Sequence, residues 1–559
     1  MKRWFLLALF LALPLRAPLA AQEIPPPGEF RATAPAWPLL RNQWTTLPAA
    51  PAGYSLEFLR TAERETVQLG LKEAILLGLK NNPAIEVERL EPLRALEQTL
   101  GEQSIFDPTL ELELRKSYAV EPYGTAASPF FQPVQASQNR NWNLTLKKLF
   151  ITGTQFDMSF LNNRFTGSLP NQVLKPQYQP RLGFSLTQPL LRDFGWGLTT
   201  IFVRISEHRE EASVLGYQVK LTQLIQRIIE SYWGVVFAAD NLRVQEKGVE
   251  LADSLLRNAE AKVQVGLFAA VAVIEARAEK ARREEQLIAA KNNFDVAKAA
   301  LRLLLNSNPG GSFLPRRVEP IDAPVFEEVP LNRQKSLEQA MLQRPELQSA
   351  ALNIRNRELQ LRFAENQLLP RLDFRVGAGL TGIAGDLKPG AANPFPGGYG
   401  TSLERLGGDF YNYSVGIVLQ VPLGNGQAQS KHSLARIELA QEKARQRDLI
   451  NQVVLEVERS VGDAESGFKR IQTTRQAKDL AEENLRLQER RFEVGLITQK
   501  DVIDFQARFI DAQGAALRAL TDYNNALAKL KLAEGGLLEA YNVKIEGLKK
   551  EPKPWWAKF

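Results

Sequence analysis

Between Gly426 and Gly495 the chain contains no proline and only two further glycines, Gly462 and Gly467. Apolar residues recur at spacings of three and four, as in Ile450, Val453, Val454, Val457 and Val461, amid Ala, Leu, Glu, Gln, Arg and Lys. That pattern predicts a helix with one apolar seam, built mostly from strong helix formers. At 1.5 Å per residue the run is a rod of roughly 100 Å. A compact domain has no use for such a rod, so something long must be crossed.

The pattern occurs twice. A second proline-free run starts at Gly195-Trp196-Gly197 and ends at Val265-Gly266-Leu267. Shifting it by 229 positions places Gly197 on Gly426, Gly266 on Gly495, Val273-Ile274-Glu275 on Val502-Ile503-Asp504, and Phe294 on Tyr523. Upstream, Pro83 and Pro108 fall on Pro345 and Pro370 with an offset of 262, so the first half holds about 33 extra residues between Pro108 and Gly197. Several matches in one order identify a tandem duplication.

Ahead of each long run the period changes from helical to two. Leu110, Leu112 and Leu114 interleave with Glu111, Glu113 and Arg115; Trp142, Leu144 and Leu146 with Asn143 and Thr145; Phe156, Met158 and Phe160 with Asp157 and Ser159; and Phe184 and Leu186 with Ser185 and Thr187. The second half shows two such segments, around Leu372, Phe374 and Val376 and around Val415, Ile417 and Leu419. Each reads as a strand with one apolar and one polar face. Loops are expected at Ala119 to Arg140, Thr166 to Gln179 and Gly382 to Gly408, and a short turn at Ile151-Thr152-Gly153. Segments of this length suit tilted membrane-crossing strands. Four to six of them cannot close an ordinary spanning barrel, and an open edge cannot face lipid, so several chains are expected to share one barrel.

The expected organisation is a signal peptide at 1–21, a Pro-rich linker at 22–66 and a first repeat at 67–305. In that repeat, helix starts at Val67, stops at Asn81-Asn82 and restarts at Pro83; strands occupy about 108–190 and a helical hairpin about 197–305. A linker at 306–335 leads to a second repeat at 336–538, with strands at about 370–423 and a hairpin at about 426–535, then a C-terminal tail at 539–559 that is basic and aromatic from Glu551 on. Lys2 and Arg3 followed by apolar Trp4 to Leu15 form the export signal. The chain has no Cys, which excludes disulfides, thiolate metal sites and cysteine catalysis. Its two histidines, His208 and His432, fall on the long runs and are read as solvated. The formal charge of +7 is too weak and scattered to argue for nucleic acid. No catalytic constellation, cofactor motif or nucleotide-binding loop is visible, so neither an enzyme nor a self-powered pump is expected.

The duplicated helix–strands–helix plan, the passage Ser185-Leu-Thr-Gln-Pro-Leu-Leu-Arg192 and the two Val-Gly-Leu tips together resemble the TolC-like outer-membrane efflux and secretion channels, over about Val67 to Leu538. The resemblance implies a mainly α homotrimer. An α-helical barrel would cross the periplasm and continue into a shared β-barrel in outer-membrane lipid. It also implies a passive duct for a tripartite efflux or type I secretion system, docked to a periplasmic adaptor and through it to an inner-membrane pump. The family has two strands per half, whereas four are expected in this first half. The extra pair either enlarges the barrel, to eighteen strands per trimer rather than twelve, or forms a protruding hairpin.

The glycines of Val265-Gly266-Leu267 and Val494-Gly495-Leu496 suit helix C-caps. The resemblance adds that these tips, with Thr498, seat the adaptor. Asp501 and Asp504 share one helix face, and in the family acidic residues at these positions line the periplasmic aperture. Ala272 and Glu275 stand at the matching places of the first tip. Thr498 to Asp501 also has capping-box spacing. Arg490, Arg491 and Lys500 are candidate partners for ion pairs that close the gate. The competing reading is a periplasmic coiled-coil adaptor, which requires one helical hairpin and no strands of spanning length.

Overall fold

The computed structural model describes residues 66–122, 134–167, 173–305, 317–387 and 394–543. The expected signal peptide and Pro-rich linker up to residue 65, and the expected tail from 544 on, lie outside the described residues. In chain order the elements are β1 (Thr66–Leu69), α1 (Leu71–Asn81), α2 (Pro83–Gln103), β2 (Thr109–Pro122), β3 (Val134–Leu149), β4 (Gln155–Gly167), β5 (Leu174–Pro189), α3 (Ile201–Gln264), α4 (Ala270–Leu305), β6 (Arg317–Pro320), α5 (Arg333–Gln343), α6 (Pro345–Asn366), β7 (Arg371–Thr381), β8 (Ala384–Leu387), α7 (Tyr399–Glu404), β9 (Tyr411–Gln420), α8 (Gly426–Glu493) and α9 (Gln499–Ala533). Single helical turns at Ser104–Phe106, Trp196–Thr199, Arg405–Gly407 and Leu537–Ala540 join them.

The two offsets reappear in the element boundaries. Before the insertion α1, α2 and β2 begin at 71, 83 and 109, and α5, α6 and β7 begin 262 positions later at 333, 345 and 371. After it, α3 and α4 end and begin at 264 and 270, and α8 and α9 do so 229 positions later at 493 and 499. The surplus is the β3–β4 hairpin. It does not protrude: β3 is hydrogen-bonded to β2 and β4, and β4 to β5, all antiparallel. One sheet runs β2-β3-β4-β5-β7-β9, with β8 pairing the outer end of β5.

The long helices hold their shape by pairwise packing: α3 with α4 and α8 with α9 toward the tips, α3 with α2 and α6 and α8 with α6 toward the sheet. Val453, Val457 and Val461, the seam read from the sequence, are buried against α5 and the end of α9. The thickest core lies at mid-length, where α1 caps α3 and the end of α4 through Ile75, Ile225, Ile228, Ile229, Leu301 and Leu305. Gly78 permits this approach, since a Cβ there would stand 2.4 Å from Ile228 Cδ1. Inside this waist Tyr232 donates to Leu69 O at 3.0 Å and accepts from Asp322 N–H at 3.1 Å. Burial pushes its phenol up to about 12.

Four expectations are corrected. Val67 lies in β1, paired in parallel with β6, and helix begins only at Leu71. The loops after β2 and β4 are shorter than expected, because the ladder runs to Pro122 and from Val134, and to Gly167 and from Leu174. Backbone pairing continues there past the point where the side chains turn polar. The segment 382–408 carries β8 and α7 rather than loop alone. His208 is half-buried, its Nδ1 at 2.8 Å from Asn356 Oδ1 on α6, and His432 is half-buried beside Glu365. The restart of helix at Pro83 follows the sequence reading, with Asn82 Oδ1 accepting from Ala84 N–H at 3.0 Å.

Candidate functional site: a two-faced sheet and paired helical tips

The sheet register aligns side chains of like character into rows, because direct cross-strand partners share a face. One row is Leu112, Leu144, Phe160, Leu182, Leu380 and Tyr411; the next is Leu110, Leu146, Met158, Phe184, Ala378 and Tyr413. The opposite face carries Glu111, Thr145, Ser159, Gly183, Gly379 and Asn412, and beside them Lys147, Asp157, Ser185, Gly377 and Ser414. Much of the apolar face is uncovered, with Leu114 and Tyr413 73% and 77% exposed, and α7 covers it around Asn162. Both outer strands, β2 and β9, lack a second strand partner among the described residues. No described helix is long and apolar enough to cross a membrane.

At the far ends of the helices the two tips are near copies. Gly266 and Gly495 have φ of +77° and +78°, which glycine adopts without the Cβ penalty. Leu267 N–H donates to Lys262 O at 2.9 Å and Gly266 N–H to Val263 O at 3.0 Å. Leu496 donates to Arg491 O at 2.8 Å and Gly495 to Phe492 O at 3.1 Å. Both are Schellman caps, which satisfy the last free carbonyls of α3 and α8. They leave Val265, Leu267, Val494 and Leu496 about 70% exposed.

Thr498 caps α9. Its N–H and Oγ1 donate to Asp501 Oδ2 at 2.9 and 2.6 Å, and Asp501 N–H donates back to Thr498 Oγ1 at 3.3 Å. These bonds, the Thr498 hydroxyl first, hold the Asp501 carboxyl below its ordinary range, with Lys500 and Arg491 nearby adding to the effect. Asp504 is exposed one turn on. Arg490, Arg491 and Lys500 are exposed and make no ion pair among the described residues; Arg491 donates to Gln488 Oε1 instead.

The structure adds contacts that single-chain periodicity did not flag. Lys262 Nζ lies 4.1 Å from the Phe492 ring centre and 5.0 Å from that of Phe268, and the two rings are 5.6 Å apart. Gln499 Nε2 donates to Ala272 O at 2.9 Å. The two hairpin ends are therefore joined across sequence-distant segments. Higher up, Glu279 accepts from Arg283 Nε at 2.7 Å and from Arg282 at 2.8 Å, with Arg283 almost fully buried. The bond to Glu279 raises the Arg282 pKa, with smaller contributions from Asp511 and Asp504 across on α9. The one sequence signal for this joint was the pair of aromatics, Phe268 and Phe492, flanking the tip glycines.

A family profile described as "Outer membrane efflux protein" matches residues 169–307 and 336–536. The chain belongs to the outer membrane efflux protein family. The matched segments contain both long hairpins, β5, β7 and β9, and leave out the β3–β4 insertion of this family member. No curated protein matches the chain. Among solved structures it is similar to the Campylobacter jejuni CmeC outer membrane channel, at 15% identity and a TM-score of 0.61 over 88% of this chain and 93% of that one. It is also similar to the Vibrio cholerae outer membrane protein VceC, at 16% identity and 0.60 over 83% and 96%. The open-state Neisseria gonorrhoeae MtrE outer membrane channel matches at 16% and 0.56 over 84% and 89%. At these identities the likeness is one of fold: long helical hairpins joined to a sheet.

Proposed function

We propose that this efflux-family chain forms a passive outer-membrane exit duct as a homotrimer, in which three sheets close one β-barrel and three sets of helical hairpins close a tunnel through the periplasm. The observation that carries this reading is the sheet itself. It has an exposed apolar face, a polar face and two open edges, at one end of rods about 100 Å long. An open edge is untenable in lipid, and pairing β2 of one copy with β9 of the next removes every edge at once. With six long strands in each sheet, three copies give the eighteen-stranded wall.

At the tips, the four exposed apolar side chains beside Gly266 and Gly495 are the surface on which a periplasmic adaptor would seat. Threefold symmetry would gather three copies of Asp501 and three of Asp504 around the axis. Asp501 held in its ionised form by the Thr498 cap suits a ring that attracts cations. Substrates would then be driven by a pump in the inner membrane. The test is single-channel conductance of the purified protein in planar bilayers, wild type against Asp501→Asn/Asp504→Asn. A cation preference that falls in the double variant supports the duct and its ring. Absence of any conductance in the wild type overturns the duct.

A further inference from the structure

One lateral row of the sheet differs from the rest. Lys116, Arg140 and Arg164 are direct cross-strand neighbours on β2, β3 and β4. They share a face, with Cβ atoms about 5 Å apart between adjacent strands. Like charges placed directly opposite are destabilising unless an anion lies between them. Lys116, Arg140 and Arg164 form no ion pair among the described residues; Lys116 and Arg140 are exposed, and the Arg164 guanidinium lies over the Tyr178 ring with Nε donating to its hydroxyl at 3.5 Å.

The position of the row selects the ligand. It lies on the apolar face, one row beyond Leu114 and Trp142, toward the end of the sheet away from the helices. After it β3 and β4 continue on this face with Gln138 and Thr166, while the edge strand β2 adds Tyr118 and Val120. Beside it α7 lays Tyr399 over the sheet. The ring meets Trp142 and Tyr178 at 6.1 Å each, and its hydroxyl donates to Asn162 Oδ1 at 2.7 Å. Aromatic side chains of this kind belong at the level where hydrocarbon gives way to headgroups, and arginine forks match phosphate oxygens.

We propose that Lys116, Arg140 and Arg164 form a phosphate-binding row for the headgroup of an anionic lipid in the outer leaflet, with Tyr178, Tyr399 and Trp142 as its aromatic wall. The proposal rests on the reading of the apolar face as lipid-facing. The test uses the full chain, purified in detergent and delipidated, with native mass spectrometry to count retained lipid A carrying two phosphates. Wild type is compared with Lys116→Gln/Arg140→Gln/Arg164→Gln, with Arg140→Gln alone, and with Arg181→Gln on the opposite face. Retention is expected to fall at least tenfold in the triple variant, by several fold in Arg140→Gln, and not in Arg181→Gln. Lipid A stripped of its phosphates is expected to bind wild type as weakly as the intact lipid binds the triple variant. Unchanged retention in both row variants, or an equal loss in Arg181→Gln, would overturn the site. So would pyrophosphate binding as tightly as the lipid, which would make the row a site for soluble anions. Conductance of each variant in neutral phosphatidylcholine bilayers separates the two claims: a wild type that fails to conduct counts against the duct, whereas conducting variants with unchanged lipid retention count against the row alone.

Discussion

Gln499 and Ala272 stand 227 residues apart, yet the side-chain amide of the first donates to the carbonyl of the second at 2.9 Å, at the first turns of α9 and α4. Each hairpin end thereby braces the other. Phe268, Phe492 and the ammonium of Lys262 between them make a second joint within the same cluster as Leu255 and Val502.

Removing these joints is expected to loosen the tips without unfolding the waist. Gln499→Ala should cost about 1 kcal/mol locally, and Lys262→Met about the same. Phe492→Ala should cost about 3–5 kcal/mol, because its ring is buried in the tip cluster. Hydrogen exchange resolved by peptide should show faster exchange at the tips in all three variants, greatest in Phe492→Ala, and unchanged exchange around Tyr232.

Gly266→Ala and Gly495→Ala isolate a backbone effect. A Cβ at either position meets nothing within 4 Å, so no clash contributes. The left-handed conformation alone should cost about 1–2 kcal/mol at each tip. The double variant should show roughly the sum in chemical denaturation, since each Schellman cap closes its own helix.

At the waist, Tyr232 carries a pH dependence of known sign. Its folded pKa, about 12, lies above the ordinary value of 10.0. The stabilisation is therefore complete below pH 10 and lost as pH rises through the folded value. Tyr232→Phe should flatten the alkaline limb of the stability profile. It should also cost about 1–2 kcal/mol at neutral pH, by leaving Asp322 N–H without its partner and Leu69 O with the Ile321 N–H alone.

Asp501 has the opposite sign. Its folded pKa lies below the ordinary 3.8, so the cap's contribution is complete above that value and is lost as pH falls through the lower folded one. Cation preference attributed to Asp501 should accordingly persist through neutral pH and be lost only on acidification. Thr498→Ala should move that loss of preference to higher pH, which reversal potentials measured across a pH series would show.

Much of the architecture was legible because it depends on periodicity. The two glycine-to-glycine runs became α3 and α8, and all six alternating segments became strands of one sheet. The insertion deduced from the change of offset, 262 to 229, is the β3–β4 hairpin. Strand ends were less legible: Arg140 fell in an expected loop, yet backbone pairing to Lys116 and Arg164 holds it in the ladder. His208 was misread because a helix period shows which face is polar and not which neighbour covers it; α6 supplies Asn356. The tip joint was out of reach for the same reason. Lys262, Phe268, Phe492 and Gln499 come from four places that only the packing of α3 against α9 brings together. Asp501 and Asp504 both lie on exposed α9 surface.

In the proposed trimer β2 and β9 are edges only until a neighbouring copy arrives. The chain has no cysteine, so introduced pairs report cleanly. Glu113→Cys on β2 should be combined in turn with Asn412→Cys, Ser414→Cys or Gly416→Cys on β9, and outer-membrane fractions oxidised and run under denaturing conditions. The expected result is a ladder that stops at a covalent trimer for at least one pair and is absent from every single-cysteine control. Monomer alone for all pairs, together with a monomeric mass for the native protein in detergent, would contradict the account.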